Sequence, residues 1–283
     1  MDGNHSLLWL AAKRGDTETV QMLIDSNVDV NENDDSAFLP FPIWAALNHA
    51  AANSVNSLST AQALIDAGVD IEYTNSFGET PLLHFYANRR IFTMLLKAGA
   101  NIHAVDSKRG SILHLFAQSD NQESILELYD RGINLSHRNM SGCTCFHVAA
   151  AFNHPDTILT LLDLDVDINI TTNLGQTALY LASAFGSKEV VKVLLARNAE
   201  IGVLATIQIP DQATRETARQ AAIGRRHIEV ASIIEREELR RDRIMQRLRL
   251  AFAMGLHHRA GEGSLVGSLG PDIAGMVAHA MRL

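Results

Sequence analysis

The side chains able to do chemistry are 12 histidines, two cysteines and a few paired carboxylates. Imidazole and thiolate are the usual ligands of zinc, and a closed site needs four at workable spacing. Cys143-x-Cys145 supplies two sulfurs, but there is no second cysteine pair, and His257-His258 has no further ligand at useful spacing. Metal binding is therefore not expected. Paired carboxylates can share general acid–base work, yet Asp34-Asp35 and Glu237-Glu238 read as solvated charge in a turn and on a helix. The phosphate-cradling Gly-x-x-x-x-Gly-Lys, the Gly-x-Ser-x-Gly elbow, His-Glu-x-x-His and Gly-x-Gly-x-x-Gly are all absent from the sequence. The chain reads as non-catalytic, with no cofactor.

Composition agrees with a folded protein rather than a disordered one. Of 283 residues, 47% are hydrophobic and 20% charged, with only 6% aromatic, which is ample for a core. No apolar run approaches the roughly 18–20 residues of a membrane span. Met1-Asp2-Gly3-Asn4-His5 lacks a basic, then apolar, leader, so no secretory signal is expected. Two cysteines cannot make a disulfide framework and fit a reducing compartment, the cytoplasm or nucleus. The net charge of -8 is uneven: residues 236–283 hold eight basic against five acidic residues, and the remainder is strongly acidic. Such a body repels a phosphate backbone, so nucleic acid is not an expected partner.

The elements that must position these side chains follow from an internal period. Gly175-Gln176-Thr177-Ala178-Leu179-Tyr180-Leu181-Ala182-Ser183 is followed by Lys188-Glu189-Val190-Val191-Lys192-Val193-Leu194-Leu195. Gly142-Cys143-Thr144-Cys145-Phe146-His147-Val148-Ala149-Ala150 and Gly110-Ser111-Ile112-Leu113-His114-Leu115-Phe116-Ala117 are earlier copies, so that Ser111, Thr144 and Thr177 are 33 residues apart. An end motif recurs in register as Asn27-Val28-Asp29-Val30-Asn31, Gly68-Val69-Asp70-Ile71-Glu72, Gly99-Ala100-Asn101-Ile102-His103, Gly132-Ile133-Asn134-Leu135 and Asp165-Val166-Asp167-Ile168-Asn169.

These residues resemble the ankyrin repeat. The resemblance places seven repeats with anchors at Ser6, Phe41, Thr80, Ser111, Thr144, Thr177 and Thr217. It implies an all-α fold, an ankyrin-repeat solenoid of helix–turn–helix repeats with β-turn fingers over residues 4–236, plus a C-terminal helical tail over 237–283. The second repeat carries extra residues around His49 to Ser59, the third is short with its His displaced to His84, and an insertion lies near Val203 to Ala213.

The pattern has a physical reading. Thr177 is placed to cap a first helix, and Leu179, Ala182 and Ser183 face a neighbour at helical spacing. Val190, Val191, Val193, Leu194 and Leu195 give the second helix a broad apolar face that one repeat cannot bury alone. Gly99 and Gly132, with Asn27 and Asn198, stand where a left-handed C-terminal residue is favoured. Ser111/His114 and Thr144/His147 keep the paired anchor; Trp9, Trp44, Leu83, Tyr180 and Gln220 replace the His elsewhere. The fourth to sixth repeats should therefore be the best ordered.

The resemblance also implies a protein partner bound on the concave side, at the turn tips and first-helix faces. Tip candidates are Asp34, Asp35, Tyr73, Phe77, Lys108, Arg109, Arg138, Met140 and Leu174. Phe152 and Phe185, 33 apart, either form an exposed aromatic stripe or pack between repeats. Asn31 and Asn169 match the context in which this family is hydroxylated on asparagine.

The tail reads as a helix from Glu235 to Gly255, with Ile244, Leu248, Ala251 and Phe252 as an apolar stripe ringed by arginines. Beyond the breaker Ala260-Gly261-Glu262-Gly263-Ser264, a second segment runs from Leu265 through Leu269-Gly270-Pro271-Asp272-Ile273 to Val277. It has two readings. One is a cap over the apolar end of the last repeat. The other comes from its similarity to the core of an F-box, which in ankyrin proteins of large DNA viruses and protists recruits a Skp1-like adaptor of a ubiquitin ligase; Leu265, Leu269, Pro271, Ile273 and Val277 would be its docking residues.

Overall fold

The computed structural model of the chain describes residues 4–31, 42–52, 58–209 and 212–253. Its helices come in consecutive pairs: α1 (Asn4–Arg14) and α2 (Thr17–Asp25), α3 (Pro42–Ala52) and α4 (Ser59–Asp66), α5 (Pro81–His84) and α6 (Arg89–Lys97), α7 (Ile112–Gln118) and α8 (Gln122–Asp130). Then follow α9 (Cys145–Ala151) and α10 (Pro155–Asp163), and α11 (Ala178–Phe185) and α12 (Lys188–Ala196). Two strands, β1 (Ala205–Ile209) and β2 (Gln212–Glu216), precede α13 (Ala218–Gly224) and α14 (Ile228–Ala253). The chain divides into two compact bodies, Met1–Cys145 and Phe146–Leu283.

Local chemistry starts and stops these helices. Thr80, Thr177 and Thr217 are extended, and their side chains accept from the amides of Leu83, Tyr180 and Gln220. Asp16, Asn88 and Asn121 cap second helices through Thr19, Ile91 and Ser124 in the same way. Each such cap contributes about 1 kcal/mol by satisfying an otherwise orphaned amide. Second helices end in left-handed residues, Gly99 and Gly132 at φ 85° and 83° and Asn27, Asp165 and Asn198 at 59–63°.

In the first body the core is built from Leu8, Ile43, Leu64, Leu82, Ile91 and Leu95, with Phe92 meeting Phe116 edge-on at 5.3 Å. In the second, Leu179, Ala182 and Ser183 are buried as expected, together with Val190, Val191, Leu194 and Leu195. Ser183 would be a buried orphan, but its hydroxyl donates to the Leu179 carbonyl at 2.6 Å. Val193 is only half-buried, one residue off the apolar face.

Two features differ from the sequence reading. The insertion near Val203 to Ala213 is an antiparallel hairpin, with Ala205 opposite Glu216 and Ile209 opposite Gln212, so the otherwise helical chain carries one two-stranded sheet among its described residues. The helix expected from Glu235 begins instead at Ile228, and the line drawn between 236 and 237 falls inside α14. Residues 228–253 contain neither Gly nor Pro, so nothing stops the second helix of the last pair. Arg241, one of the arginines around the apolar stripe, reaches back to the carbonyls of Ala199 at 2.9 Å and Leu195 at 3.3 Å. It thereby sets a cationic donor at the C-terminal end of α12, where the helix dipole favours positive charge.

Candidate protein-binding surface

The turns between helix pairs share one construction. Asn75 Oδ1 accepts from the amides of Phe77 and Glu79 at 2.9 and 3.0 Å. Asp106 Oδ1 does the same for Lys108 and Gly110 at 2.8 and 2.7 Å, and Asn139 Oδ1 for Ser141 and Cys143, both at 3.0 Å. Each turn closes with a main-chain bond, from Asn75, Asp106 and Asn139 N–H to the carbonyls of Glu79, Gly110 and Cys143. A short polar side chain folding back on its own amides is what makes Asn and Asp turn formers. The apex residues are thus held outward on a fixed backbone.

Neighbouring turns are tied together. The Ser107 amide donates to the Phe77 carbonyl and the Met140 amide to the Lys108 carbonyl, each at 3.0 Å. Side chains at the third position after the anchor brace the turns from below. Trp44 Nε1 donates to the Tyr73 carbonyl at 3.0 Å. His114 accepts the Ser111 amide at Nδ1, so its proton sits on Nε2 and is donated to the Cys143 carbonyl at 2.9 Å. Burial, ahead of the Cys143 backbone bond that opposes it, holds the His114 pKa below its ordinary value. In the second body, His147 is fully buried and its Nε2 faces the carbonyls of Ile170 and Gln176. His84, displaced by one, instead meets Glu79 at 2.9 Å and lies edge-on to Trp44.

The sequence candidates fall into three groups. Phe77, Lys108, Arg109 and Met140 come together on the linked tips of the first body, with Phe77 68% and Met140 63% exposed. Tyr73 is more modestly exposed beside them, and Arg138 is partly committed, its Nη1 donating to the Gly142 carbonyl at 3.1 Å. Phe152 and Phe185 form a second group at the ends of α9 and α11. They are 51% and 65% exposed, which decides against packing between repeats; Phe152 lies parallel to His154, ring centroids 6.3 Å apart.

Leu174 is the exception. It was expected at an exposed tip but is half-buried, because the hairpin covers it: the Thr206 amide donates to the Leu174 carbonyl at 2.7 Å. The hairpin is held at the same open end, through its second strand, by Tyr180, whose hydroxyl donates to Glu216 at 2.6 Å while Arg225 donates to the same oxygen at 3.0 Å. This network went unread in the sequence. Tyr180 in the His position was its one visible sign.

Asn31 and Asn169 turn their amide groups to the following end motif: Asn31 bonds Gly68 and Asp70, and Asn169 accepts from Glu200 at 2.9 Å. Cys145 is buried and Cys143 half-buried, with burial raising the Cys143 thiol pKa. Among the described residues no group of three or more His, Cys, Asp or Glu could hold a metal, and no helix is long and apolar enough to cross a membrane. Asp34, Asp35, His257, His258 and the docking candidates Leu265, Leu269, Pro271, Ile273 and Val277 lie outside the described residues.

Comparison with known families agrees with the helix pairs. A family model of three ankyrin repeats matches residues 47–139, 83–172 and 113–205, and a single ankyrin repeat model matches residues 2–35. Over 118 residues the chain is 31% identical to an ankyrin repeat protein of Acanthamoeba polyphaga mimivirus, covering 40% of this chain and 70% of that protein.

Proposed function

Because the chain belongs to the ankyrin repeat family, we propose that it is a non-catalytic scaffold of the cytoplasm that binds another protein through its turn tips and first-helix ends. The observation that carries this is the pairing of apolar exposure with a fixed backbone. Phe77 and Met140 are large, mostly exposed side chains on turns whose amides and carbonyls are satisfied internally. Packing in the described body gives them no reason to be apolar, whereas rigid apolar anchors lose little entropy on binding. Affinity capture from the native cell, comparing wild type with Phe77→Ala/Met140→Ala, tests the reading. Specific partners should be lost or depleted in the variant; the same proteins in the same amounts from both would refute it.

A second reading rests on the tail sequence alone. Leu265, Leu269, Pro271, Ile273 and Val277 would dock a Skp1-like adaptor, making the repeats a substrate receptor for ubiquitin ligation. Direct binding of purified Skp1 to the full chain, lost from a chain ending at Gly263, is the expected result. Equal, negligible binding by both refutes it.

A further inference from the structure

We infer that the linked tips at residues 75–79, 106–110 and 139–143 form one ridge that takes an acidic segment of a partner in polyproline II conformation, with apolar residues at positions i and i+3. The inference rests on the scaffold reading and adds the partner's chemistry. Its spacing comes from the two main-chain bonds that join the tips, Ser107 to Phe77 and Met140 to Lys108. Backbones bonded in this way lie about 5 Å apart, so the Phe77 and Met140 backbones stand roughly 10 Å apart across the middle tip, close to one turn of polyproline II, whose three-residue period puts i and i+3 on one face.

Its charge preference comes from which ions are already engaged. Every carboxylate of these loops has partners: Glu72 accepts the Asn101 amide, Glu79 accepts from Asn75 and meets His84, and Asp106 closes its own turn. Lys108 and Arg109 are exposed, and neither makes an ion pair among the described residues. An acidic segment would meet two available cations between the apolar anchors. A basic segment would meet like charge at Lys108 and Arg109, beside carboxylates already engaged within the loops. On a chain of net charge -8, this local reversal selects against basic partners and speeds encounter with acidic ones.

The test is selection of the full chain against a random peptide library, which presets no chemistry. The expected binders carry two apolar residues three apart with Asp or Glu between or beside them. Their affinity should fall at least about tenfold in Lys108→Glu/Arg109→Glu and in Phe77→Ser/Met140→Ser, and should weaken with added salt. Melting curves check that the variants stay folded, with Lys108→Gln/Arg109→Gln as the milder replacement. Neutral or basic binders, or binding indifferent to Lys108 and Arg109, would overturn the ridge. If such binders depend instead on Phe152 and Phe185, the scaffold reading survives without it. A library yielding no binder that depends on either set removes both.

Discussion

Tyr180→Phe isolates the lock that holds the hairpin. The phenolic hydroxyl is the only atom removed, from a side chain 2% exposed, and its bond to Glu216 is short at 2.6 Å. The ring's packing and the place of Arg225, whose guanidinium carbon lies 5.9 Å from the ring centroid, are retained. Burial first, then the neighbouring Glu216 carboxylate, raises the Tyr180 pKa, so the hydroxyl stays a donor throughout the neutral range. A hydrogen bond to a charged group contributes about 1.5–3 kcal/mol. The lower end applies here, because Glu216 is 19% exposed and keeps its bond to Arg225. A loss of about 1.5 kcal/mol corresponds to roughly tenfold faster opening.

Hydrogen exchange followed by mass spectrometry reads this directly. Amides of β1 and β2 should exchange roughly tenfold faster in the variant, while those of α9 and α10 keep their wild-type rates. A double-mutant cycle with Glu216→Gln should be non-additive, since both changes weaken one contact. Unchanged hairpin exchange, or acceleration of α9 and α10 by the same factor, would refute the claim that Tyr180 acts as a local lock.

Three further outcomes are expected. His114 is held below its unfolded pKa of 6.5 by burial, so its contribution to stability is complete above about pH 6.5 and lost as pH falls through the lower folded value. Urea midpoints between about pH 7.5 and pH 5.5 should therefore drop more in wild type than in His114→Gln; parallel profiles would exclude the assignment. Gly78→Ala places a methyl 2.8 Å from the Ser107 amide nitrogen at a left-handed φ of 75°, so it should cost about 1–2 kcal/mol and weaken partner capture by disturbing the Ser107–Phe77 link, as thermal melting and binding would show. In native-state exchange the fourth to sixth repeats, braced by buried His114 and His147, should be the most protected; the strongest protection at the N-terminus would count against that bracing.

The sequence by itself determined whatever depends on a residue and its near neighbours. The 33-residue spacing of Ser111, Thr144 and Thr177, the caps at Thr177 and Thr217, and the left-handed ends at Gly99, Gly132 and Asn198 were legible because capping and positive φ are decided within a few residues. The continuity of α14 was legible in principle, in a run without Gly or Pro, but the repeat period drew attention to a boundary at 236. Tertiary structure decided what is covered and what is linked. Met140 and Leu174 are both apolar residues shortly before a repeat anchor, yet one is mostly exposed and the other half-buried, because only Leu174 lies against an inserted hairpin. That hairpin is fastened by Tyr180 and Glu216, 36 positions apart. Phe77, Lys108 and Met140 likewise become one ridge through main-chain bonds between turns about 30 residues apart in sequence. Such bonds depend on backbone atoms that every residue possesses, so side-chain identity does not announce them.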